Sequence, residues 1–433
     1  MEHPRGDVKE LVRATAQPAT VDHPSAAGAG QYRLTLSCAA LTCALLPWYT
    51  VRWRYASSLP TTLLETGILV TIGVFVIETW RGRIMPQWRT PVTVPAALFV
   101  IAGAISIVVA PDHRAALGLY RAYFLEPIAF FFVVSFIVRS WAQARLILLG
   151  LSIAAVAVCI PNTYVVLQAI RHHTLNLAGA PPVVIYETPN ALALFVIPLI
   201  AVASAIFVHS QEVRDRWASA AFLLIGVPAA LLTFSRGGYV ALLAIGILLT
   251  LTHRTRVWLL PALAILAIGF SRIPAVASRI GHQLNPADPN NSLDQRIRLW
   301  KATLRMLQDH PIFGTGLSSF GRSIDPYRGV SGYTDQLTYP HNILLNFWTE
   351  TGLLGLAAFG WVLIQAARYA WDGWTIGDPA WKPLQLGVLL ALAGIIIHGL
   401  VDVPYFKNDL SLEFWVLLGL SWAGYRGRAT IGR

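Results

Sequence analysis

The chain has 433 residues, 55% of them hydrophobic and only 13% charged, with a mean hydropathy of +0.56. Soluble domains carry about 25% charged residues, so this balance, combined with long apolar runs, excludes an ordinary globular protein and indicates a polytopic membrane protein. The net charge of +11 reads as arginine and lysine fixing orientation in a bilayer, not as a nucleic-acid surface.

Residues 1–33 are polar, with Pro4, Pro18, Pro24 and scattered charge. The first apolar run starts only after Arg33, too late for an ordinary cleaved signal sequence. The expectation is a disordered cytoplasmic tail leading into a retained first span.

Apolar windows follow near 34–51, 59–79, 91–110, 116–138, 146–168, 190–208, 217–234, 237–252, 257–271, 341–367, 383–400 and 409–425. At about 20 residues per spanning helix, they predict an all-α protein of about twelve spans. Nine occupy residues 34–271 and three occupy 341–425, with a short tail at 426–433. The runs are continuous and not alternating, which excludes a barrel. Cys38, Cys43 and Cys159 all fall in apolar segments and read as small buried side chains. No internal repeat or low-complexity tract is visible.

With the N-terminus inside, the short inner loops hold eleven basic residues and the short outer ones six. The positive-inside rule then places both termini in the cytoplasm and the long segment 272–340 outside.

That outer segment carries its own helix signals. Ser292 with Gln295 resembles a capping box, and Ile297, Trp300, Leu304 and Leu307 follow at helical spacing. Arg298, Lys301 and Arg305 line another face. His310-Pro311 ends the helix, and Gly314 and Gly316 allow a tight turn. The helix is either interfacial, with its cations on lipid headgroups, or an anion-binding lid over a membrane cavity.

Polar residues at span ends narrow the search. Arg236 lies between two windows, after Ser235 and before Gly237-Gly238; a fixed cation beside exposed backbone N–H groups suits a phosphate. Arg121 and Glu126 are not one helical turn apart, so each is set to pair with another helix, and Arg121 is a further candidate for an anion. Asn190 follows a proline and reads as a helix cap. His341 and Asn342 open the tenth window, Glu350 lies inside it, and Asp402 follows the eleventh. Arg236, the loop arginines, His341 and Asp402 all fall on the outer face, as a cavity opening there requires.

The ordered segments FSRGGYVALL, QRIRLWKATLRMLQDHPIFGTGLSSF, HNILLNFWTETGLLGL and HGLVDVPYF, with LYRAYFLEP and TPNALALF, resemble the O-antigen ligase and O-antigen polymerase superfamily over most of residues 116–425. The resemblance implies a GT-C-like membrane glycosyltransferase and an undecaprenyl-diphosphate-linked glycan as donor. It maps the family's functional residues onto Arg236, Arg298 or Arg296, His341 and Asp402. Arginines would stabilise the leaving diphosphate as its charge develops. His341 would take the proton of an attacking sugar hydroxyl, with Asp402 orienting the imidazole or pairing with an arginine. Attack opposite the diphosphate would invert the anomeric carbon. The outer segment has no Asp-x-Asp pair, so a reaction without metal or cofactor is expected. The acceptor is a hydroxyl of a glycolipid, a glycan or a protein: ligase, polymerase and protein O-oligosaccharyltransferase share these motifs. A solute transporter is the competing reading from another class, set against it by the lack of half-symmetry.

Overall fold

The computed structural model describes residues 32–55, 59–86, 88–175, 181–284, 291–331 and 339–426. Most of the predicted N-terminal tail, residues 1–31, and residues 427–433 of the C-terminal one lie outside the described residues.

A helix falls on each predicted window. In chain order they are α1 (Arg33–Ala44), α2 (Leu63–Gly82), α3 (Thr93–Val109), α4 (His113–Tyr120), α5 (Glu126–Ile137), α6 (Trp141–Arg171), α7 (Pro189–His209), α8 (Val213–Leu231), α9 (Arg236–Leu251) and α10 (Arg256–Ser271). The outer segment forms α11 (Pro274–Leu284), α12 (Ser292–Asp309), α13 (Phe320–Ser323) and α14 (Asp325–Ser331). Then come α15 (Ile343–Ile376), α16 (Lys382–Gly399) and α17 (Asn408–Arg426). Among the described residues, six helices are long and apolar enough to cross a bilayer: α2, the continuous helix His113–Ile137, α6, α7, α15 and α16. The others are shorter or carry more charge near their ends.

The second window is not helical throughout. Its first residues form strand β2 (Leu59–Thr62), antiparallel to β1 (Arg52–Tyr55). Thr62 then caps α2: its hydroxyl accepts from Glu65 N at 3.1 Å while the Glu65 carboxylate accepts from Thr62 N at 3.0 Å.

Between α4 and α5 the chain makes a π-helical turn, Arg121–Leu125. This brings Arg121 and Glu126 together, which their spacing did not suggest, while the expected pairing of Arg121 with another helix is also present. An i→i+5 turn puts residues five apart on one face, and Arg121 Nε lies 3.1 Å from Glu126 Oε1. The same guanidinium meets Glu65 at 2.5 Å, and Asn408 Nδ2 donates to the other Glu65 oxygen at 2.9 Å. Arg121 and Glu65 together therefore tie α2, α5 and the start of α17 to one another.

At the centre, α16 packs between α7, α9 and α15, while α15 packs on α3 and α17 on α5. Buried side chains of α5, α7, α15, α16 and α17 make one continuous core. By contrast, α10 buries none of its residues. The outer segment has a small core of its own, in which Leu299, Ala302 and Met306 of α12 meet Phe320 and Ile324. The predicted apolar stripe is thus displaced, because Ile297 and Leu304 are exposed and the tightly packed positions are 299, 302, 303, 306 and 307. Exposed apolar residues on such a helix suit a lipid-facing side.

Helix α15 breaks at Gly352, whose φ of 69° lies in the left-handed region. A Cβ there would strike Ile312 O and the Phe313 Cα. The outer segment inserts into that break. Leu353 N donates to Ile312 O at 2.9 Å, Thr315 N to Thr349 O at 2.8 Å and Ser318 N to Glu350 Oε2 at 2.7 Å. Glu350, buried with 1% exposure, is therefore committed to holding this segment.

Candidate functional site

One pocket gathers most of the outer polar residues. It has a volume of about 380 Å³, and Asn190, Arg236, Ser292, Arg296, His398 and Asp402 supply its polar walls. Three helix N-termini deliver four of these groups: α7 brings Asn190, α9 Arg236, and α12 Ser292 and Arg296, while the end of α16 brings His398 and leads to Asp402. Helix N-termini carry partial positive charge and unsatisfied N–H groups, so their convergence favours an anion.

The cationic wall is built by Ser292. Its hydroxyl accepts from Arg236 Nη1 at 2.6 Å and from Arg296 Nη1 at 3.0 Å. Two like charges are thereby held on one small hub at the pocket wall. Burial pulls the Arg296 guanidinium below its usual range, and the negative charge of Asp402 offsets part of that. Arg298 is placed differently. It is half exposed, at 49%, and pairs with Asp294 one turn earlier at 2.8 Å. Of the two loop arginines, Arg296 lines the pocket and Arg298 does not.

Ser292 cannot serve this role and also cap α12. The structure assigns the cap to Asn291, whose Oδ1 accepts from Leu293 N at 3.1 Å and Asp294 N at 3.2 Å, in place of the predicted Ser292–Gln295 box. Arg236 is likewise not a loop residue but the first residue of α9, with Ser235 as cap accepting from Gly238 N at 3.3 Å. The preceding Phe234 has a φ of 51°, which turns the chain sharply out of α8.

The carboxylate wall is Asp402, 6% exposed, in the connection after α16. Its Oδ1 faces His341 Nδ1 at 3.2 Å and accepts from Val403 N at 2.9 Å. Its Oδ2 accepts from Asn190 Nδ2 at 3.0 Å. Burial alone would raise this acid, but the His341 hydrogen bond and the charges of His341, His398 and Arg296 outweigh it and hold Asp402 well below the ordinary carboxylate range. Asn190 is therefore not the cap of α7. That role belongs to Thr188, which accepts from Ala191 N at 3.3 Å.

His341 has a φ of 47°, rare for a side chain with a Cβ, and a side chain 23% exposed. It stands across Asp402, outside the pocket's own lining. Three contacts hold it there. Trp300 Nε1 of α12 donates to Pro340 O at 2.9 Å, Asn342 Nδ2 donates to Leu400 O at 3.0 Å, and Asn342 Oδ1 caps α15 by accepting from Leu345 N at 3.1 Å. The bond to Asp402 uses Nδ1, which leaves Nε2 for another partner.

Among the sequence candidates, Arg236, Arg296, Asn190 and Asp402 line one pocket and His341 joins it through Asp402. Arg121, Glu126, Arg298 and Glu350 lie elsewhere, and Asn342 acts through backbone contacts. Two residues were missed. Ser292 passed for a cap, and His398 lay unremarked within HGLVDVPYF, four positions before Asp402. His398 is 2% exposed, lines the pocket, and sits with Nε2 3.4 Å from the Ser235 hydroxyl. It fits only because position 237 is glycine; a Cβ there would lie 2.8 Å from both His398 Cδ2 and Val401 Cγ2.

Chemically, the pocket offers two guanidinium groups opposite a carboxylate–imidazole pair. That set can neutralise a leaving anion and remove a proton from a nucleophile.

No curated protein matches the chain in a sequence comparison. A family model described as O-antigen ligase matches residues 220–360, a stretch that runs from α8 into α15 and contains Arg236, Ser292, Arg296 and His341. That match bears out the resemblance of this chain to the O-antigen ligase superfamily.

Proposed function

We propose that this protein is a membrane glycosyltransferase of the O-antigen ligase type. It moves a glycan from an undecaprenyl-diphosphate donor to an acceptor hydroxyl at the outer face of the cytoplasmic membrane. The observation that carries this reading is the arrangement around Asp402: Arg236 and Arg296 share the Ser292 hydroxyl on one side, and His341 contacts the carboxylate on the other.

The donor's diphosphate sits against Arg236 and Arg296, with the N-termini of α9 and α12 adding to the field. Nε2 of His341 takes the proton of the acceptor hydroxyl as its oxygen bonds to the anomeric carbon. The carbon–oxygen bond to the diphosphate breaks, and its electron pair leaves with undecaprenyl diphosphate. Attack from the side opposite the leaving group inverts the anomeric centre. The ionised Asp402 fixes the imidazole through Nδ1 and stabilises the imidazolium that forms. The charge that develops on the leaving group is met by guanidinium groups, so the reaction proceeds without a metal ion.

In this reading the chain crosses the membrane about twelve times in a GT-C-like arrangement, with both termini cytoplasmic. The pocket end of the bundle then faces outward, consistent with the basic residues of the short loops at the other end. The acceptor is a glycolipid, as for a ligase; polymerase and protein-glycosylation activities would use the same donor half.

The decisive experiment incubates the purified protein with a lipid-diphosphate oligosaccharide and a glycolipid acceptor and identifies products by mass. A glycan transferred with inverted configuration, in the presence of a chelator, is expected. Hydrolysis alone, or transfer abolished by chelator and restored by magnesium, would overturn the proposal in whole or in its metal-free part.

A further inference from the structure

A second feature lies at the opposite end of the bundle, where α2 ends and α3 has yet to begin. The helices α2 and α5 diverge there and leave a groove of about 940 Å³. Ile72, Phe75 and Val76 of α2 face Ala129, Phe132 and Val133 of α5 across it. Trp88 closes the base by packing edge-on against Phe75 and Phe132, at ring separations of 6.3 and 5.7 Å. These walls are hydrocarbon. Trp80 and Met85, 79% and 90% exposed, stand at the rim.

The mouth is different in kind. Arg81 and Arg83 both line it and both are exposed. Among the described residues, no carboxylate pairs with either. The neighbouring acid, Glu78, is already taken by the start of α1, accepting from Thr35 Oγ1 at 2.5 Å and from Leu34 N at 3.3 Å. An apolar slot with two cations unpaired by any carboxylate among the described residues at one end matches an amphiphile whose head is an anion. The aromatic rim is the arrangement found where a chain meets the membrane–water boundary.

We infer that this groove binds one anionic phospholipid of the bilayer. Its phosphate rests on Arg81 and Arg83, and an acyl chain lies between α2 and α5. The site is separate from the pocket around Asp402 and does not depend on the reaction proposed for it.

Native mass spectrometry of the detergent-purified full chain, titrated with phosphatidylglycerol or with phosphatidylcholine of the same acyl chains, tests this. Preferential retention of phosphatidylglycerol is expected, weakened about fivefold for each arginine removed in R81Q and R83Q. The charge-preserving R81K/R83K variant should keep the preference, as should R368Q, which removes a cation elsewhere at the same end. Equal retention of both lipids by the unaltered protein overturns the inference. So does an undiminished phosphatidylglycerol preference in R81Q/R83Q.

Discussion

Arg236 and Arg296, sixty positions apart in the chain, both donate to the hydroxyl of Ser292, at 2.6 and 3.0 Å. That hub holds both guanidinium groups at the wall of one pocket. Arg236→Ala and Arg296→Ala should each lower kcat/KM for glycan transfer by about 10²–10³-fold, the range for removing one preorganised donor. Lysine at either position should recover only part of it, having no planar fork. Steady-state kinetics with a lipid-diphosphate donor check this.

Arg298 gives the contrast. Its partner is Asp294 on the surface of α12, and exposed pairs contribute about 0–1 kcal/mol. Arg298→Ala should therefore change kcat/KM by less than about fivefold. A loss equal to that of Arg296→Ala would show that the cation facing the substrate has been misassigned.

His341→Ala should reduce kcat by about 10²–10⁴-fold, the usual contribution of a general base, while donor binding stays within a few-fold. Isothermal titration with an undecaprenyl-diphosphate analogue separates the two. Near-normal turnover in a folded variant would remove the imidazole from the mechanism.

The pH behaviour of Asp402 has a definite sign. Its carboxyl is held below the range it has in an unfolded chain, mainly by His341 once burial has been outweighed. Its contribution to stability is therefore complete above about pH 4. It is lost only as pH falls below that and through the folded value. Thermal unfolding of the wild type and Asp402→Asn should differ at pH 5, and the gap should close as pH falls below about 4. A gap that widens below about pH 4 would contradict the ionised state assigned here.

Gly237→Ala tests the contact between α9 and α16. The added methyl meets His398 and Val401 at 2.8 Å, and overpacking of this kind costs about 1–3 kcal/mol. The expected outcome is a lower unfolding temperature together with a disproportionate loss of turnover, because the displaced residues are walls of the pocket. Unchanged activity and stability would mean that α16 yields without consequence.

Much of this arrangement could be read from residues alone, and the exceptions have physical causes. Continuous apolar runs marked the helices because lipid demands it, and Arg236, His341 and Asp402 stood out because charge at a span end is costly. Arg296 and Arg298 could not be told apart, since two steps along a helix rotate a side chain by about 200° and only the packing of α12 decides which one turns inward. Asn190 and Ser292 were mistaken for caps because their type and position suit a cap equally well; Thr188 and Asn291, one or two residues earlier, took that role. The pairing of Arg121 with Glu126 needed a π-turn, which no periodicity announces. His398 looked like one more residue of an apolar helix because its neighbour, Gly237, lies more than 150 positions away.

The break at Gly352 ties the two halves of the chemistry to one spar. The chain that fills the gap is the continuation of the helix bearing Arg296, and the short helical piece above the gap is the one that His341 precedes. A residue with a side chain at 352 would wedge these apart at Ile312 and Phe313. Arg296 and His341 would then drift out of register together, and the proposed activity would be lost with both side chains still intact.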